Sequence, residues 1–193
     1  MKTRVLLVAA TVATAAFASM CHPAQGATKT PPPATTIAGA CQAAHDADSR
    51  VSTSFCITHL RKQSRTIDGF TRGLAEAAAD VGVGNADAAR YEAQRTLGRR
   101  DDEQEDPIYR RALERCDRLY GMVREAFAEA RDLLVDHRDV TIEAALSSVA
   151  SIAHSCDYGF SLARRAGASP LVQYSENNTQ IALLTVVIAG LIK

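Results

Sequence analysis

The chain has 193 residues with 22 basic and 22 acidic side chains, so its formal net charge is zero. This length is enough for one domain with a hydrophobic core. The balanced charge argues against a nucleic-acid partner, which would require a basic surface. Aromatic residues make up 5% of the chain and Trp is absent. The composition therefore favours helices that pack through small and aliphatic side chains.

The N-terminus has the features of a secretory signal peptide. A basic start, Met1–Arg4, is followed by an apolar run, Val5–Ala18, and then by small residues. We expect residues 1–26 to be removed by cleavage before Ala27, with a cut after Ala18 as the alternative. The apolar run is shorter than the roughly 20 residues that a membrane span needs. The sequence thus predicts a secreted protein that has no membrane anchor after cleavage.

Cysteine content supports an oxidising environment. Cleavage after Gly26 removes Cys21 and leaves four cysteines: Cys41, Cys56, Cys116 and Cys156. An even number in a secreted chain indicates two disulfides, for which three connectivities are open. No Cys-x-x-Cys pair occurs, so the sequence gives no support for a zinc site or a thioredoxin-like site.

Residues 27–36 form a Pro- and Thr-rich leader that lacks a core pattern and favours extended structure. Residues 37–62 predict a small helical hairpin with a polar turn at its centre. Cys41 and Cys56 are nearly equidistant from that turn, which favours a bridge within the hairpin. Closing a loop of about 15 residues contributes roughly 3 kcal/mol in the chain-entropy model. Helices this short would be marginal without such a bridge.

Four longer helices are predicted over residues 66–192. Their apolar residues recur in steps of three and four, which is typical of a helix-bundle seam. The first spans 66–98, and two more lie between Pro107 and Gly167, the earlier of which starts at Pro107 with Asp106 as its candidate cap. The last covers about 171–192. The predicted inner face of the first carries Ile67, Phe70, Leu74, Ala77, Val81, Gly84, Ala88 and Tyr91. Short loops favour antiparallel neighbours, so the fold class is all-α: an up-down-up-down four-helix bundle preceded by the hairpin.

A charged break, Asp136-His137-Arg138-Asp139, separates the second and third bundle helices. Cys116 lies about 21 residues before His137 and Cys156 about 19 after it, so the two positions face each other in an antiparallel pair. Helix axes about 8–10 Å apart leave roughly 4–5 Å between facing Cα atoms. That separation suits a disulfide.

Catalytic motifs are not evident in the sequence. It has no Gly-x-Ser-x-Gly elbow, phosphate-binding loop or His-Glu-x-x-His pair. His154 is close to Cys156, but residues two apart point to different sides of a helix. Asn177-Asn178-Thr179 is an N-glycosylation sequon. The apolar end, 181–192, has the length of a lipid-anchor signal but also completes the fourth helix. We therefore expect neither catalysis, nor a cofactor, nor a metal.

The sequence around the cysteines resembles the plant invertase and pectin methylesterase inhibitor family. The similar segments are Cys41, Ser54–Leu60, Ala112–Tyr120, Glu143–Val149, Cys156–Phe160 and Ser169–Leu171. The resemblance covers residues 37–192, which we treat as one inhibitor domain, and it looks closest to a subgroup that includes pollen allergens classed with the invertase inhibitors.

The resemblance implies a hairpin, a four-helix bundle, and disulfides that pair the first cysteine with the second and the third with the fourth. It also implies an extracellular protein of the plant cell wall (apoplast), or alternatively of the vacuole. Such a protein would inhibit a carbohydrate-active enzyme by one-to-one docking without catalysis of its own. The expected targets are pectin methylesterase or acid invertase.

Invertase inhibitors of this family carry a Pro-Lys-Phe motif on the loop that corresponds to 136–139. Here Pro and Phe are missing, and only Arg138 keeps the basic character. Asp136, His137, Arg138 and Asp139 are therefore the candidate target-contacting loop, with pectin methylesterase as the favoured target and invertase as the alternative. A hypothesis of another class is a secreted structural or ligand-binding bundle, since such bundles hold ligands between helices.

Overall fold

A computed structural model describes residues 36–63, 70–99, 106–162 and 169–192. All of them belong to the unit that spans Pro31–Lys193. The predicted signal peptide and all but the last residue of the leader lie outside the described residues. That last residue, Thr36, is the N-cap of the first helix, and its hydroxyl accepts a hydrogen bond from the Gly39 amide at 3.0 Å.

The N-terminal hairpin forms as predicted. Helices α1 (Ile37–Ala47) and α2 (Thr53–Leu60) pack against each other, and a 3₁₀ turn, Arg61–Gln63, follows. Ser52 caps α2 by accepting a hydrogen bond from the Phe55 amide at 3.3 Å. Such a cap satisfies one of the amides that a helix start leaves unpaired. The disulfide Cys41–Cys56 joins the two helices, with a Cα–Cα distance of 5.8 Å.

The bundle is built from α3 (Phe70–Gly98), α4 (Pro107–Val135), α6 (Val149–Phe160) and α7 (Val172–Gly190). Helix α3 packs against α4 and α7, and α6 packs against the same two helices. Asp106 caps α4 and Pro107 opens it, as the sequence predicted. The predicted start of the first bundle helix, from residue 66, lies outside the described residues. The all-α bundle with two disulfides is confirmed.

The third bundle helix is not the continuous helix that the sequence predicted. It begins as a 3₁₀ turn, Asp139–Thr141, continues as α5 (Ile142–Leu146), and restarts as α6 at Val149. Two serines occupy the break, and the Ser147 hydroxyl donates to the Ala144 carbonyl at 2.9 Å. Serine side chains compete in this way with the backbone ladder, which explains the interruption.

The predicted inner face of α3 is wrong in its C-terminal half. Tyr91 is 67% exposed, and Gly84 and Ala88 are also exposed. The buried positions are Gly82, Ala86, Ala89 and Ala93. Alanine occurs on both sides of this helix, so composition does not reveal which side is buried. A straight α-helix also drifts about 20° per heptad from a strict seven-residue repeat.

The core is filled by large side chains from α4 and α6 against small ones from α3. Phe127 and Tyr120 are fully buried, and Phe127 packs against Gly82. The Tyr120 hydroxyl is 2.7 Å from the Ser175 hydroxyl, and burial raises the pKa of Tyr120. Asn178 is also fully buried, and its amide makes no hydrogen bond with the described residues.

Candidate functional site

The tip between α4 and the third bundle helix is a regular helix end. The Arg138 amide donates to the Leu133 carbonyl at 2.8 Å, and the His137 amide donates to the Leu134 carbonyl at 3.2 Å. These two bonds define a Schellman motif, in which the residue after the cap takes a left-handed conformation. That residue is His137, with φ 58°. Glycine is usual there, because a side chain in this region costs about 1–2 kcal/mol.

A side chain of α3 fastens the tip to the bundle. The Arg72 guanidinium binds both carboxylate oxygens of Asp139, one of them at 2.7 Å, and donates to the Leu134 carbonyl at 2.9 Å. Hydrogen bonding to Asp139 raises the pKa of Arg72. Asp139 is thus already paired within the molecule. Of the four candidate loop residues, Asp136, His137 and Arg138 are exposed.

Two valines give the tip an apolar character that the sequence reasoning overlooked. Val140 is 95% exposed and Val135 is 57% exposed, so they flank the charged tip on either side. Isolated exposed apolar residues are ordinary, but here two lie within six residues of chain beside Arg138. The tip therefore presents one guanidinium and two aliphatic side chains on a fixed backbone.

The second disulfide, Cys116–Cys156, joins α4 to α6 in the core, with a Cα–Cα distance of 4.8 Å. This agrees with the separation expected from helix packing. Cys116 lies 20 residues before Asp136, which is about 30 Å along the helix axis. The disulfide therefore fixes the pairing of the two helices, whereas Arg72 fixes the tip itself.

A second surface lies on the outer side of α3 and α4, where ion pairs cross between the helices. Arg90 binds Asp117 at 3.1 Å, and Arg124 binds Asp87 at 3.1 Å. Beside these pairs is an open groove of about 340 Å³. It is lined by Arg90, Asp117, Arg118, Gly121, Met122, Arg124 and Glu125.

The other candidate positions are spread over the molecule. Asn177 lies in α7, where its side-chain oxygen accepts a hydrogen bond from Gln173 at 3.2 Å. His154 is exposed, while Cys156 is buried in its disulfide. Within the described ranges, no group of three or more His, Cys, Asp or Glu side chains is placed to hold a metal ion. In the same part of the chain, no helix is long and apolar enough to cross a membrane.

Comparison with known proteins places this architecture in a family. Residues 35–189 match the family model described as plant invertase/pectin methylesterase inhibitor. Two proteins of rice (Oryza sativa subsp. japonica) are similar to this chain. Pectinesterase inhibitor 8 is 36% identical over 154 residues, and the match covers 80% of this chain and 81% of the rice protein. Pectinesterase inhibitor 12 is 29% identical over 157 residues, covering 81% and 74%.

The fold has a counterpart among solved structures. The crystal structure of a pectin methylesterase inhibitor from Arabidopsis thaliana superposes with a TM-score of 0.56 at 18% identity, covering 79% of this chain and 96% of that one. At this identity the likeness concerns the fold. With the family model spanning most of the chain, and a relative of more than 30% identity over four-fifths of it, the assignment is plain. The chain belongs to the plant invertase/pectin methylesterase inhibitor family.

Proposed function

We propose that this protein inhibits a plant pectin methylesterase by non-covalent, one-to-one occlusion of the enzyme's active-site cleft, with no catalysis of its own. The observation that carries the proposal is the 36% identity to a relative named pectinesterase inhibitor 8, which extends over four-fifths of both chains. The second rice relative carries the same type of name.

Rigidity of the tip supports a docking mechanism. Arg72 holds Asp139 and the last turn of α4, and two disulfides tie the helices together. A preformed surface loses little conformational entropy on binding, so more of the contact energy appears as affinity. Arg138 and Val140 are the exposed side chains that we assign to the target, because arginine and apolar anchors dominate many interfaces.

Inhibition can be measured by titrating pectin methylesterase with the oxidised protein from acidic to neutral pH. We expect a stoichiometric end point at one inhibitor per enzyme. The double variant Arg138→Ala/Val140→Ala should weaken inhibition by about tenfold or more, which corresponds to about 1.4 kcal/mol. The control Lys62→Ala removes an exposed cation from the hairpin end and should leave inhibition unchanged.

Two results would contradict this proposal in different ways. A lack of inhibition at any ratio would remove pectin methylesterase as the target. Full inhibition by the double variant would retain the target but place the contact on another surface, with the outer side of α3 and α4 as the next to mutate.

Acid invertase is the second candidate target. The matching family model names both activities, and Arg138 keeps a basic residue at the tip. The Pro and Phe of the invertase-directed motif are missing from positions 136–139, which favours the esterase. The same titration against a cell-wall invertase separates the two, because a specific inhibitor should reduce only one activity.

We further propose that the protein is secreted to the cell wall, or alternatively carried to the vacuole, and that Asn177 is glycosylated on the way. The support is the signal-like N-terminus and the sequon in a chain with two disulfides. N-terminal sequencing of the secreted protein should begin at Ala27. An enzymatic deglycosylation shift that disappears in Asn177→Gln would confirm the glycan.

A further inference from the structure

The outward face of α4 carries its charges in two separate blocks. From Arg111 to Asp132 its exposed residues recur in steps of three and four, so they form one stripe along the helix. This stripe, the α4 stripe, consists of Arg111, Arg115, Arg118, Met122, Glu125, Glu129, Asp132 and Asp136. Three cations therefore precede Met122 and four anions follow it. Met122 itself is 51% exposed.

Most charges of the α4 stripe lack a partner within the molecule. Arg111, Arg115 and Arg118 make no ion pair or hydrogen bond with the described residues, and the same holds for Glu125 and Glu129. The other arginines of α4 differ, since Arg110, Arg124 and Arg131 are all paired with carboxylates. Among the described residues of α4, the unpaired charges thus lie on the stripe, whose Asp132 is the exception because Arg131 binds it at 2.9 Å.

This arrangement does not favour the isolated helix. Arg111 and Arg115 are four residues apart, as are Glu125 and Glu129, and like charges at this spacing destabilise a helix by about 0.2–0.5 kcal/mol per pair. The helix dipole prefers anions near the N-terminus and cations near the C-terminus, yet α4 has no acidic residue in its first turn and no basic residue in its last. Exposed helix faces that pair their own charges alternate the signs along the helix, and the α4 stripe does not.

We infer that the α4 stripe binds the same stripe of a second copy of this chain, antiparallel and across a two-fold axis at Met122. Because the two blocks extend to similar distances from Met122, this axis brings Arg118 opposite Glu125 of the second copy and Arg115 opposite its Glu129. Arg111 then faces Asp132 of the second copy. Each pair lies within one residue of the register in which both members are equally far from Met122 along the chain. A two-fold interface uses the same patch twice and must be self-complementary, which the stripe is.

The centre of the stripe is suited to close approach. Gly121 precedes Met122, and a Cβ built on Gly121 would have Arg90 Nε at 3.9 Å as its nearest neighbour. The two copies would thus meet at Met122, whose flexible thioether adapts to an apolar partner. One helix face makes a small interface, so the dimer should be weak, with a dissociation constant on the order of 10–100 µM.

Sedimentation equilibrium of the oxidised full chain tests this directly and needs no target enzyme. We expect a monomer–dimer equilibrium that weakens about tenfold when salt rises from about 0.05 to 0.5 M, because exposed charges are screened. Arg115→Glu and Glu129→Arg should each weaken dimerisation at least about tenfold. An equimolar mixture of these two variants should dimerise again. In a dimer that contains one copy of each variant, both contacts between positions 115 and 129 join one acidic and one basic side chain.

Matched controls carry the same charge changes elsewhere. Lys62→Glu on the hairpin and Glu143→Arg in α5 alter exposed residues away from the stripe and should dimerise as the parent does. A protein that stays monomeric at about 1 mM and low salt would overturn the inference. Failure of the mixture to dimerise would overturn it too. If the single variants lose only esterase inhibition, the stripe binds the target enzyme instead of a second copy.

Discussion

Two glycines two residues apart in α3 should respond oppositely to the same substitution. Glycine inside a helix costs about 0.5–1 kcal/mol relative to alanine, because it loses more backbone entropy on folding. Gly84 is exposed, and a Cβ built there meets no atom within 4 Å. We therefore expect Gly84→Ala to stabilise the protein by about 0.5–1 kcal/mol.

Gly82 faces the ring of Phe127. A Cβ built on Gly82 would lie within 2.5 Å of three ring atoms, and Phe127 is 0% exposed, so the ring has no solvent to move into. Overpacking of this kind costs about 1–3 kcal/mol, which exceeds the gain in helix propensity. Gly82→Ala should therefore destabilise the protein by about 1–2 kcal/mol, which corresponds to a thermal unfolding midpoint that is lower by about 2–8 °C.

Equilibrium unfolding in guanidinium, followed by circular dichroism on the oxidised protein, measures both variants. A third protein, Gly82→Ala/Phe127→Leu, removes the ring, and the two substitutions should couple favourably by about 1 kcal/mol or more. Equal stability of the two glycine variants would refute the reasoning. It would mean that α3 and α4 can separate at this layer at little cost.

Three further predictions concern one buried amide, one disulfide and one carboxylate. Asn178→Leu should stabilise the protein by about 1–3 kcal/mol, because it replaces a buried, unpaired amide by an apolar side chain; a lower unfolding midpoint would show that the amide is hydrogen-bonded in solution. Replacing Cys41 and Cys56 by serine should cost about 3 kcal/mol and speed hydrogen exchange over 37–62; unchanged protection would mean that packing alone holds the hairpin. Hydrogen bonds from Arg50 lower the pKa of Asp48 to about 2, so this carboxylate favours the folded state above its unfolded pKa, and the benefit is lost as pH falls towards 2. An NMR titration should find that midpoint, and Arg50→Ala should return it to the ordinary value.

Residue spacing and local sequence signals predicted several parts of the fold. The hairpin, the cap at Asp106 and the facing positions of Cys116 and Cys156 follow from spacing, helix rise and cap chemistry. The buried side of α3 could not be predicted in the same way, because alanine lies on both sides of this helix. The break at Ser147 was also missed, since serine is tolerated in many helices and only the packing shows where the ladder opens.

The sequence predicted where the turn at 136–139 lies, but not the contacts that hold it. The tip at 136–139 was expected, and its exposed residues Asp136, His137 and Arg138 are available to a partner. The ion pair between Arg72 and Asp139 could not be predicted, because it joins residues 67 positions apart and depends on how α3 packs against α4. Val140 gave no signal either, since a lone valine after a charged turn reads as the start of the next helix.

The disulfide between α4 and α6 also determines what a proteolytic cut at the tip would do. Proteases cut exposed loops first, and the tip is the exposed turn between these two helices. Cys116 and Cys156 lie on opposite sides of it, 40 residues apart. A single cut at the tip would therefore leave both fragments covalently joined and packed in the same bundle. The damage from such a cut would be local and confined to the tip.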